Sequence, residues 1–417
     1  MPKETPAVPN HCSFCDKTRA EATKLIVSGN YAICDECVTL CGKLLVNQNN
    51  TETKKDNGTA KHTNPEKIKS HLDQHVIGQE AAKVALSVAV ANHYKRLYYQ
   101  SQTRIDKSNV MLLGPTGSGK TLLAKSIAEY LDVPFVIADV TGLTEAGYVG
   151  DDVESIITRL LQAAEGDVER AQRGIVFQDE IDKIGRKGEG GSVNRDIGGE
   201  GVQQSLLKMV EGTTMTVPAE GTKKHPGSST VDIDTHNILF IASGAFVGVQ
   251  DIVDRRQKSS TIGFGVSDRN ITAATNDLLP EDITKFGMIP EFVGRFPVLV
   301  STKTLTEQEL TEVLVRPENN LISQFRFYFD VDGIPVDFSS EALATIARQA
   351  RELKTGARAL RGILEHRLTP HLFAIPRYKR ERVSRILFTA EVFSEGRDPI
   401  VSYKKTQTAR TKVIKTK

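Results

Sequence analysis

Short apolar runs alternate with amphipathic segments through the middle of the chain. Four runs have the length and composition of buried strands, at 109–114, 134–140, 174–180 and 237–244. Segments with the spacing of an amphipathic helix follow the first two runs, at 120–131 and 152–165. Because strands that are buried on both faces form continuous apolar runs, this pattern predicts an α/β fold with a parallel sheet flanked by helices.

Helix signals lie on either side of this region. Asn64 directly before Pro65 predicts a helix start, with asparagine as the N-cap and proline at the first helical position. A long helix is predicted from Gln79 to about Tyr99. From about Thr306 the pattern becomes mostly helical, which predicts a separate small C-terminal domain.

Residues 47–59 contain no hydrophobic side chain, so they cannot bury a core and are predicted to form a flexible linker. The glycine-rich tract at 185–201 is too long for an ordinary connection, which is typical of functional loops or of disordered segments. The predicted organisation is a zinc-binding domain, a linker, a large ATPase domain, a small domain and a basic tail, at 1–46, 47–63, 64–302, 303–400 and 401–417.

Composition narrows the class of protein. Of the 417 residues, 39% are hydrophobic and 25% are charged, which fits a globular protein with a substantial core. The formal net charge of +2 gives no argument for a nucleic-acid or membrane partner. The longest mainly apolar run, 81–91, is too short to span a bilayer, and the amino terminus has no apolar signal region. We therefore expect a cytoplasmic protein.

All five cysteines fall within the first 41 residues. Four of them, Cys12, Cys15, Cys34 and Cys37, form a C-x₂-C-x₁₈-C-x₂-C pattern, whose spacing is typical of zinc sites. Four thiolates close a tetrahedral structural site, and a module of this size needs metal because its core is small. Cys41 is interpreted as a residue packed on a helix face rather than as a ligand.

The segment "GPTGSGKT" at 114–121 matches the phosphate-loop pattern and lies between a predicted strand and a predicted helix. Its glycines allow backbone N–H groups to surround phosphates, and the helix amino terminus adds a positive dipole. Lys120 is predicted to reach the β- and γ-phosphates of ATP, and Thr121 to ligate Mg²⁺. The predicted nucleotide-binding residues are Pro115, Thr116, Gly117, Ser118, Gly119, Lys120, Thr121 and Leu122.

A phosphate loop needs a carboxylate on a neighbouring strand, and the run at 174–180 ends in Asp179 and Glu180. Ligands bind at the carboxyl ends of such strands. Asp179 is predicted to hold Mg²⁺ through water, and Glu180 to polarise an attacking water, which favours a hydrolase over a simple binder. Gln178 occupies a strand position where an apolar residue is expected.

Several motifs in order resemble the ClpX family of AAA+ ATPases. They include "CSFC…CDEC", "VIGQE", "GPTGSGKT", "LTEAGYVGDDVE", "DEIDKI", "IPEFVGRFP" and "KTGARALR". The resemblance implies an ATP-dependent unfoldase that forms a homo-hexamer with ATP between subunits. It implies that Glu180 activates water, that Arg295 acts on the neighbour's ATP, and that Arg358 is a second sensor. Val76 and Ile77 are implied to lie near the adenine.

The same resemblance implies three further sites. Tyr148 and Val149, between Gly147 and Gly150, are implied to face the central pore and grip substrate, with Lys223, Lys224 and His225 in a second pore loop. Ile262, Gly263 and Phe264 are implied to dock into the ClpP peptidase. The zinc module is implied to bind tagged substrates and adaptors.

The sequence departs from the family pattern at three positions. Gln178 stands where an aliphatic residue is usual, Lys223 replaces a typical arginine, and Ser243 replaces a usual glycine, so no first sensor is assigned. Four hypotheses follow: an unfoldase that feeds a peptidase, a peptidase-independent remodelling chaperone, a nucleic-acid motor, and a nucleotide-binding scaffold with little turnover. The charge and the aromatic loop disfavour the motor, and an ATPase assay separates the scaffold from the rest.

Overall fold

The computed structural model describes residues 10–41, 62–99, 103, 105–143, 152–185, 199–219, 229–259 and 278–403. The chain divides into two compact units, Met1–Thr63 and Asn64–Lys417. The strands are β1 (Leu25–Ser28), β2 (Tyr31–Cys34), β3 (Val110–Leu113), β4 (Phe135–Asp139), β5 (Ile175–Asp179), β6 (Thr214–Pro218), β7 (Thr230–Asp234), β8 (Leu239–Gly244), β9 (Val298–Ser301), β10 (Val336–Phe338), β11 (Val383–Phe388) and β12 (Ile400–Tyr403).

The second unit contains most of the helices. They are α1 (Pro65–His75), α2 (Glu80–Tyr98), α3 (Lys120–Leu131), α4 (Glu154–Ala163), α5 (Val168–Ala171), α6 (Glu200–Glu211), α7 (Val249–Ser259), α8 (Pro280–Phe286), α9 (Pro290–Gly294), α10 (Glu307–Val315), α11 (Leu321–Asp330), α12 (Ser340–Glu352), α13 (Arg358–Phe373), α14 (Ile375–Arg380) and α15 (Ala390–Ser394). Short 3₁₀ helices lie at Val140–Gly142, Ile181–Ile184 and Thr235–Asn237. None of the described helices is long and apolar enough to cross a bilayer.

The first unit is built on an antiparallel hairpin. Strands β1 and β2 pair with Leu25 opposite Cys34 and Ser28 opposite Tyr31, and the chain is helical over residues 35–41. Its buried apolar side chains within the described range are Cys12, Ala32 and Cys34. Two cysteines and an alanine are too little apolar surface to hold the described segment 10–41 together, so this segment needs another source of stability.

A five-stranded parallel sheet forms the centre of the second unit, in the order β4-β5-β8-β3-β9. One face carries Met111, Val176 and Phe240 against α4 and α6. The opposite face carries Leu112, Phe177 and Ile241 against α1, α2 and α3. Because both faces are covered, successive residues of the central strands are mostly apolar, with Gln178 and Ser243 as buried exceptions, and the expected parallel α/β sheet is confirmed.

The helix signals read from the sequence also hold. The Asn64 side chain accepts hydrogen bonds from the N–H groups of Glu66 and Lys67, so it caps α1 as predicted. The predicted long helix is α2, and α3 covers the predicted segment 120–131. The α10 helix begins at a capping box in which Thr306 and Glu309 each bond the other's backbone N–H.

Three β features were not predicted. Strand β9 forms an edge of the parallel sheet beside β3. Strands β6 and β7 form an antiparallel hairpin that leaves the end of α6, with Thr214 opposite Asp234. The C-terminal region packs its helices around a separate apolar cluster, centred on Phe325, Phe329 and Phe388, and also contains a three-stranded sheet in the order β10-β11-β12.

Candidate nucleotide and zinc sites

The four predicted zinc ligands converge in the first unit. The Sγ atoms of Cys12, Cys15, Cys34 and Cys37 all lie within 4.8 Å of one another, and those of Cys15 and Cys34 are 3.6 Å apart. In a tetrahedral site with Zn–S distances of about 2.3 Å, sulfur atoms lie roughly 3.8 Å apart. The donor set therefore fits a structural Zn²⁺ ion. Cys41 does not belong to the group, as expected.

Backbone hydrogen bonds place these thiols. The N–H of Cys34 donates to Cys12 Sγ at 3.3 Å, and the N–H of Cys37 donates to Cys34 Sγ at 3.4 Å. The β1–β2 hairpin thus carries Cys34 beside the amino-terminal pair, and the first helical turn after it brings Cys37 to the same point. Although burial opposes the charged form, backbone N–H groups that include that of Cys34 lower the pKa of the Cys12 thiol and favour the thiolate that binds metal.

The predicted phosphate loop runs from the end of β3 into α3. Gly117 and Gly119 have φ angles of 75° and 95°, which ordinary side chains rarely adopt. The Lys120 ammonium donates to the carbonyl oxygens of Gly114 at 2.7 Å and Pro115 at 3.0 Å, so it lies across the loop. The loop is therefore a turn of backbone groups closed by a lysine at the start of a helix, an arrangement that suits phosphate.

Two elements distant in the sequence hold this loop in place. The Ser118 hydroxyl is 2.7 Å from the Thr302 hydroxyl, which follows β9 and donates to the carbonyl of Leu113. The Gln79 amide donates to the carbonyls of Ser118 and Lys303 and accepts from the Lys303 N–H. The start of α2 and the end of β9 are thereby tied to the same turn.

Asp179 and Glu180 lie at the carboxyl end of β5, next to the loop. The Thr121 hydroxyl is 3.5 Å from an Asp179 carboxylate oxygen. Glu180 has φ 59° and ψ 31°, a left-handed conformation, and its N–H donates to Asp179 Oδ1 at 3.0 Å. The turn therefore separates two consecutive carboxylates: Asp179 stays beside Thr121, and Glu180 lies exposed at the strand end.

Burial lowers the pKa of Lys120, against the opposing effect of the Asp179 and Asp182 carboxylates, and the positive charge of Arg358 lowers it further. Asp182 was not predicted as a site residue, although it belongs to the same "DEIDKI" segment. Its carboxylate is almost fully buried and accepts a hydrogen bond from the Ala245 N–H at 3.2 Å, just after β8.

Arg358 begins α13, in the C-terminal region, and the residues before it contact the phosphate loop. The Ala357 N–H donates to the Gly117 carbonyl at 3.1 Å. A side chain at Gly117 would overlap the Thr355 carbonyl oxygen, so glycine permits this close approach. The segment directly before Arg358 therefore contacts the phosphate loop through Thr355 and Ala357, a backbone contact that was not foreseen, and the role of Arg358 as second sensor stays a prediction.

Val76 and Ile77 are buried at the end of α1, and Val76 lies against Gly119.

Arg295 follows α9, and its exposed guanidinium forms an ion pair with Glu211. Both pore segments and the docking segment lie outside the described residues: Tyr148, Val149, Lys223, Lys224, His225, Ile262, Gly263 and Phe264.

Known protein families match both the segment with the four cysteines and the region with the phosphate loop. Residues 10–47 match the ClpX C4-type zinc finger, 105–299 the AAA domain (Cdc48 subfamily), and 305–379 the C-terminal, D2-small domain of ClpB protein. The chain is 48% identical over 377 residues to an "ATP-dependent Clp protease ATP-binding subunit ClpX" of Treponema denticola, covering 88% of this chain and 90% of the relative.

Two Borrelia proteins of the same name, from B. duttonii and B. recurrentis, are also 48% identical, over 399 residues that cover 94% of this chain and 92% of theirs. Similarity of this extent spans the zinc module, the ATPase core and the C-terminal region together. The chain therefore belongs to the ClpX family of AAA+ ATPases.

Proposed function

We propose that this protein is an ATP-dependent unfoldase that recognises substrate proteins, unfolds them and translocates them through a hexameric pore into the ClpP peptidase. The observation that carries this proposal is the meeting of three elements at one turn. The phosphate loop contacts the strand end with Asp179 on one side and the segment before Arg358 on the other. Nucleotide bound there touches both parts of the second unit, so its hydrolysis can move one against the other.

Each site residue has a proposed role within this cycle. Lys120 and the loop backbone bind the phosphates of ATP, and Thr121 and Asp179 hold Mg²⁺, the aspartate through water. Glu180 polarises the attacking water, and Arg358 senses the γ-phosphate. Val76 and Ile77 line the adenine side, because both are buried and Val76 lies against Gly119. Arg295 is exposed and lies beside Asn109 at the amino end of β3, at the opposite end of that strand from its own phosphate loop, which suits action on the ATP of a neighbouring subunit.

The remaining roles rest on the family resemblance. Tyr148 and Val149 grip substrate in the pore, together with Lys223, Lys224 and His225. Ile262, Gly263 and Phe264 dock into ClpP, and the zinc module at 1–46 binds tagged substrates and adaptors. The large and small ATPase domains are assigned to 64–302 and 303–400. We expect a cytoplasmic protein without a nucleic-acid or membrane partner.

The decisive experiment is degradation of a stable, tagged fluorescent protein by this chain with ClpP and ATP. When this protein, ClpP and ATP are all present, the substrate is expected to lose its fluorescence and its full-length band. With ATP but neither protein, the substrate should keep both. The matched control is Phe264→Ala, which is expected to unfold the substrate without degrading it, because a docking residue fills a pocket on the partner. Substrate that unfolds with ATP but is never degraded with ClpP would favour the peptidase-independent chaperone instead.

A further inference from the structure

Arg295 is held at a fixed point on the surface of the second unit. Its N–H donates to the Phe292 carbonyl, and its own carbonyl accepts a hydrogen bond from the Asn109 amide at 3.0 Å. The side-chain oxygen of Asn109, which is buried, accepts a hydrogen bond from the Phe240 N–H at 3.3 Å. Phe292 and Phe296 are fully buried on either side. The backbone of Arg295 is therefore anchored to β8 through Asn109.

Glu211, the ion-pair partner, is the last residue of α6, and its backbone is also fixed. Lys107 Nζ donates to the carbonyl of Val210 at 3.2 Å, and Thr235 Oγ1 donates to that of Met209 at 2.9 Å. Gly212 follows in a left-handed conformation, packed so closely on the His236 ring that a side chain would overlap it. Two rigid backbones thus face each other through one glutamate and one arginine.

The position of Glu211 is not explained by helix stability. The carboxyl end of a helix carries a partial negative charge, so an acidic side chain is unfavourable there. An exposed ion pair also contributes little to folding, because two long side chains lose conformational freedom. Here the side chains of Arg295 and Glu211 are 54% and 38% exposed. A carboxylate at this place is better explained by what it does to the arginine.

The contact uses one edge of the guanidinium. Glu211 Oε1 accepts from Nε of Arg295 at 2.9 Å and lies 2.7 Å from Nη2. An arginine has five N–H donors. Two are taken by this oxygen, and the other three, on Nη1 and the far side of Nη2, have no partner within the described part of the chain. The carboxylate thus fixes the plane of the fork and leaves its outer end available for an anion.

We propose that Glu211 is the positioning residue of Arg295: it orients the guanidinium so that its three remaining donors meet the γ-phosphate of the neighbouring subunit's ATP. This proposal rests on the proposed role of Arg295 in the ring. Orientation matters because an arginine accelerates hydrolysis only when its donors are directed at the charge that develops in the transition state. Glu211 itself does not touch the nucleotide.

A double-mutant cycle on the full-length, assembled protein tests this proposal. Glu211→Gln keeps the shape and loses the charge, and it is expected to lower kcat for ATP by about three- to tenfold while KM changes little. Arg295→Ala is expected to lose more. In the double variant, kcat should equal that of Arg295→Ala alone, because Glu211 acts only through the arginine.

The matched control is Glu312→Gln, which removes an exposed carboxylate that pairs with Arg316 at 2.8 Å, and should leave kcat unchanged. The thermal unfolding midpoints of all variants should agree. A loss of kcat in Glu211→Gln then cannot be explained by a loss of stability. An unchanged or raised kcat in Glu211→Gln would overturn the proposal. So would a double variant in which Glu211→Gln lowers kcat by the same factor as it does in the protein with Arg295 intact. A normal kcat in Arg295→Ala would instead overturn the role of the arginine itself.

Discussion

At the scale of single residues, the backbone of Glu180 is the most informative feature of the candidate active site. A residue other than glycine in the left-handed region costs free energy and persists only where the surroundings enforce it. Here the conformation places Asp179 beside Thr121 and leaves Glu180 exposed beyond the strand. The left-handed turn thus gives two adjacent carboxylates different surroundings, as the different roles proposed for them require.

Glu180→Gln is expected to bind ATP normally and to hydrolyse it about 10²- to 10⁴-fold more slowly, because the amide keeps the shape but cannot act as a base. The measurement is steady-state turnover together with nucleotide affinity. Glu129→Gln, which changes an exposed glutamate on α3, is the control and should behave as the unchanged protein. Near-normal turnover in Glu180→Gln would show that another residue activates water.

Two fully buried glutamines make different contacts. The Gln203 side chain donates to the Ile184 carbonyl at 2.8 Å and accepts from the Ile289 N–H at 2.8 Å. Neither polar atom of the Gln178 side chain has a hydrogen-bond partner among the described residues. On the neighbouring strands, Gln178 lies between Ala138 and Ala242, whose small side chains leave room for it. An unpaired buried amide destabilises the fold.

Gln178→Met keeps an unbranched side chain of similar size and removes the unpaired amide. The free energy of unfolding is therefore expected to rise by about 1–3 kcal/mol, and Gln203→Met, which breaks two hydrogen bonds, is expected to lower it by a similar amount. Chemical denaturation midpoints of both variants test this contrast. A loss of stability in Gln178→Met would mean that the amide has a hydrogen-bond partner after all.

At the scale of elements, the amino-terminal hairpin depends on metal, because it buries so few apolar side chains. About one zinc per chain is expected. Cys15→Ser should abolish zinc binding and unfold this module, while ATP hydrolysis by the second unit largely survives. Cys41→Ser should keep the zinc, since Cys41 lies outside the four-sulfur group. The measurement is the zinc content of the unsubstituted protein, Cys15→Ser and Cys41→Ser. Absence of zinc from the unsubstituted protein would contradict the assignment of a zinc site.

The segment that carries Tyr148 joins the sheet to α4, and its apolar pair between two glycines suits a grip that tolerates any polypeptide sequence. Tyr148→Ala is expected to lose most unfolding of a stable tagged substrate and to keep substantial ATPase activity. Both rates are measured on one preparation, with Tyr99→Ala, which changes an exposed tyrosine at the end of α2, as control. Unchanged unfolding by Tyr148→Ala rings would show that this aromatic side chain does not grip substrate.

At the scale of the whole molecule, the C-terminal region reaches the nucleotide site through a backbone contact. Gly356 has a φ of 59°, and a Cβ there would lie 2.7 Å from the Gly117 carbonyl oxygen. Only glycine allows the segment before Arg358 to approach the phosphate loop so closely. This contact makes the loop a place where the two regions meet.

Gly356→Ala is therefore expected to separate the Arg358 segment from the phosphate loop and to weaken ATP binding by about tenfold or more. Gly362→Ala is the matched control: Gly362 lies within α13 with open space around its Cβ position, so alanine should be neutral or slightly stabilising. Equilibrium titration with a nucleotide analogue measures both. Equal affinity in the two variants would mean that the contact is dispensable for binding.

The sequence by itself determined the features that depend on neighbours along the chain. The continuous apolar runs at 109–114 and 174–180 predicted β3 and β5, because a strand buried on both faces has no polar alternation. Asn64 predicted the start of α1, since a cap acts on the next turn. The spacing of four cysteines and the "GPTGSGKT" loop predicted both sites, because each chemistry fixes residue types at short intervals.

Only the tertiary structure decided which distant residues meet. Strand β9 was missed because its four residues form a strand only beside β3. The contact of Ala357 with Gly117 joins residues 240 positions apart, and the pair of Glu211 with Arg295 joins two helix ends. No local pattern encodes such pairings. They arise because the packed sheet brings separate segments together at both of its ends: Ala357 meets Gly117 beyond the carboxyl end of β3, and Arg295 lies beside Asn109 at the amino end.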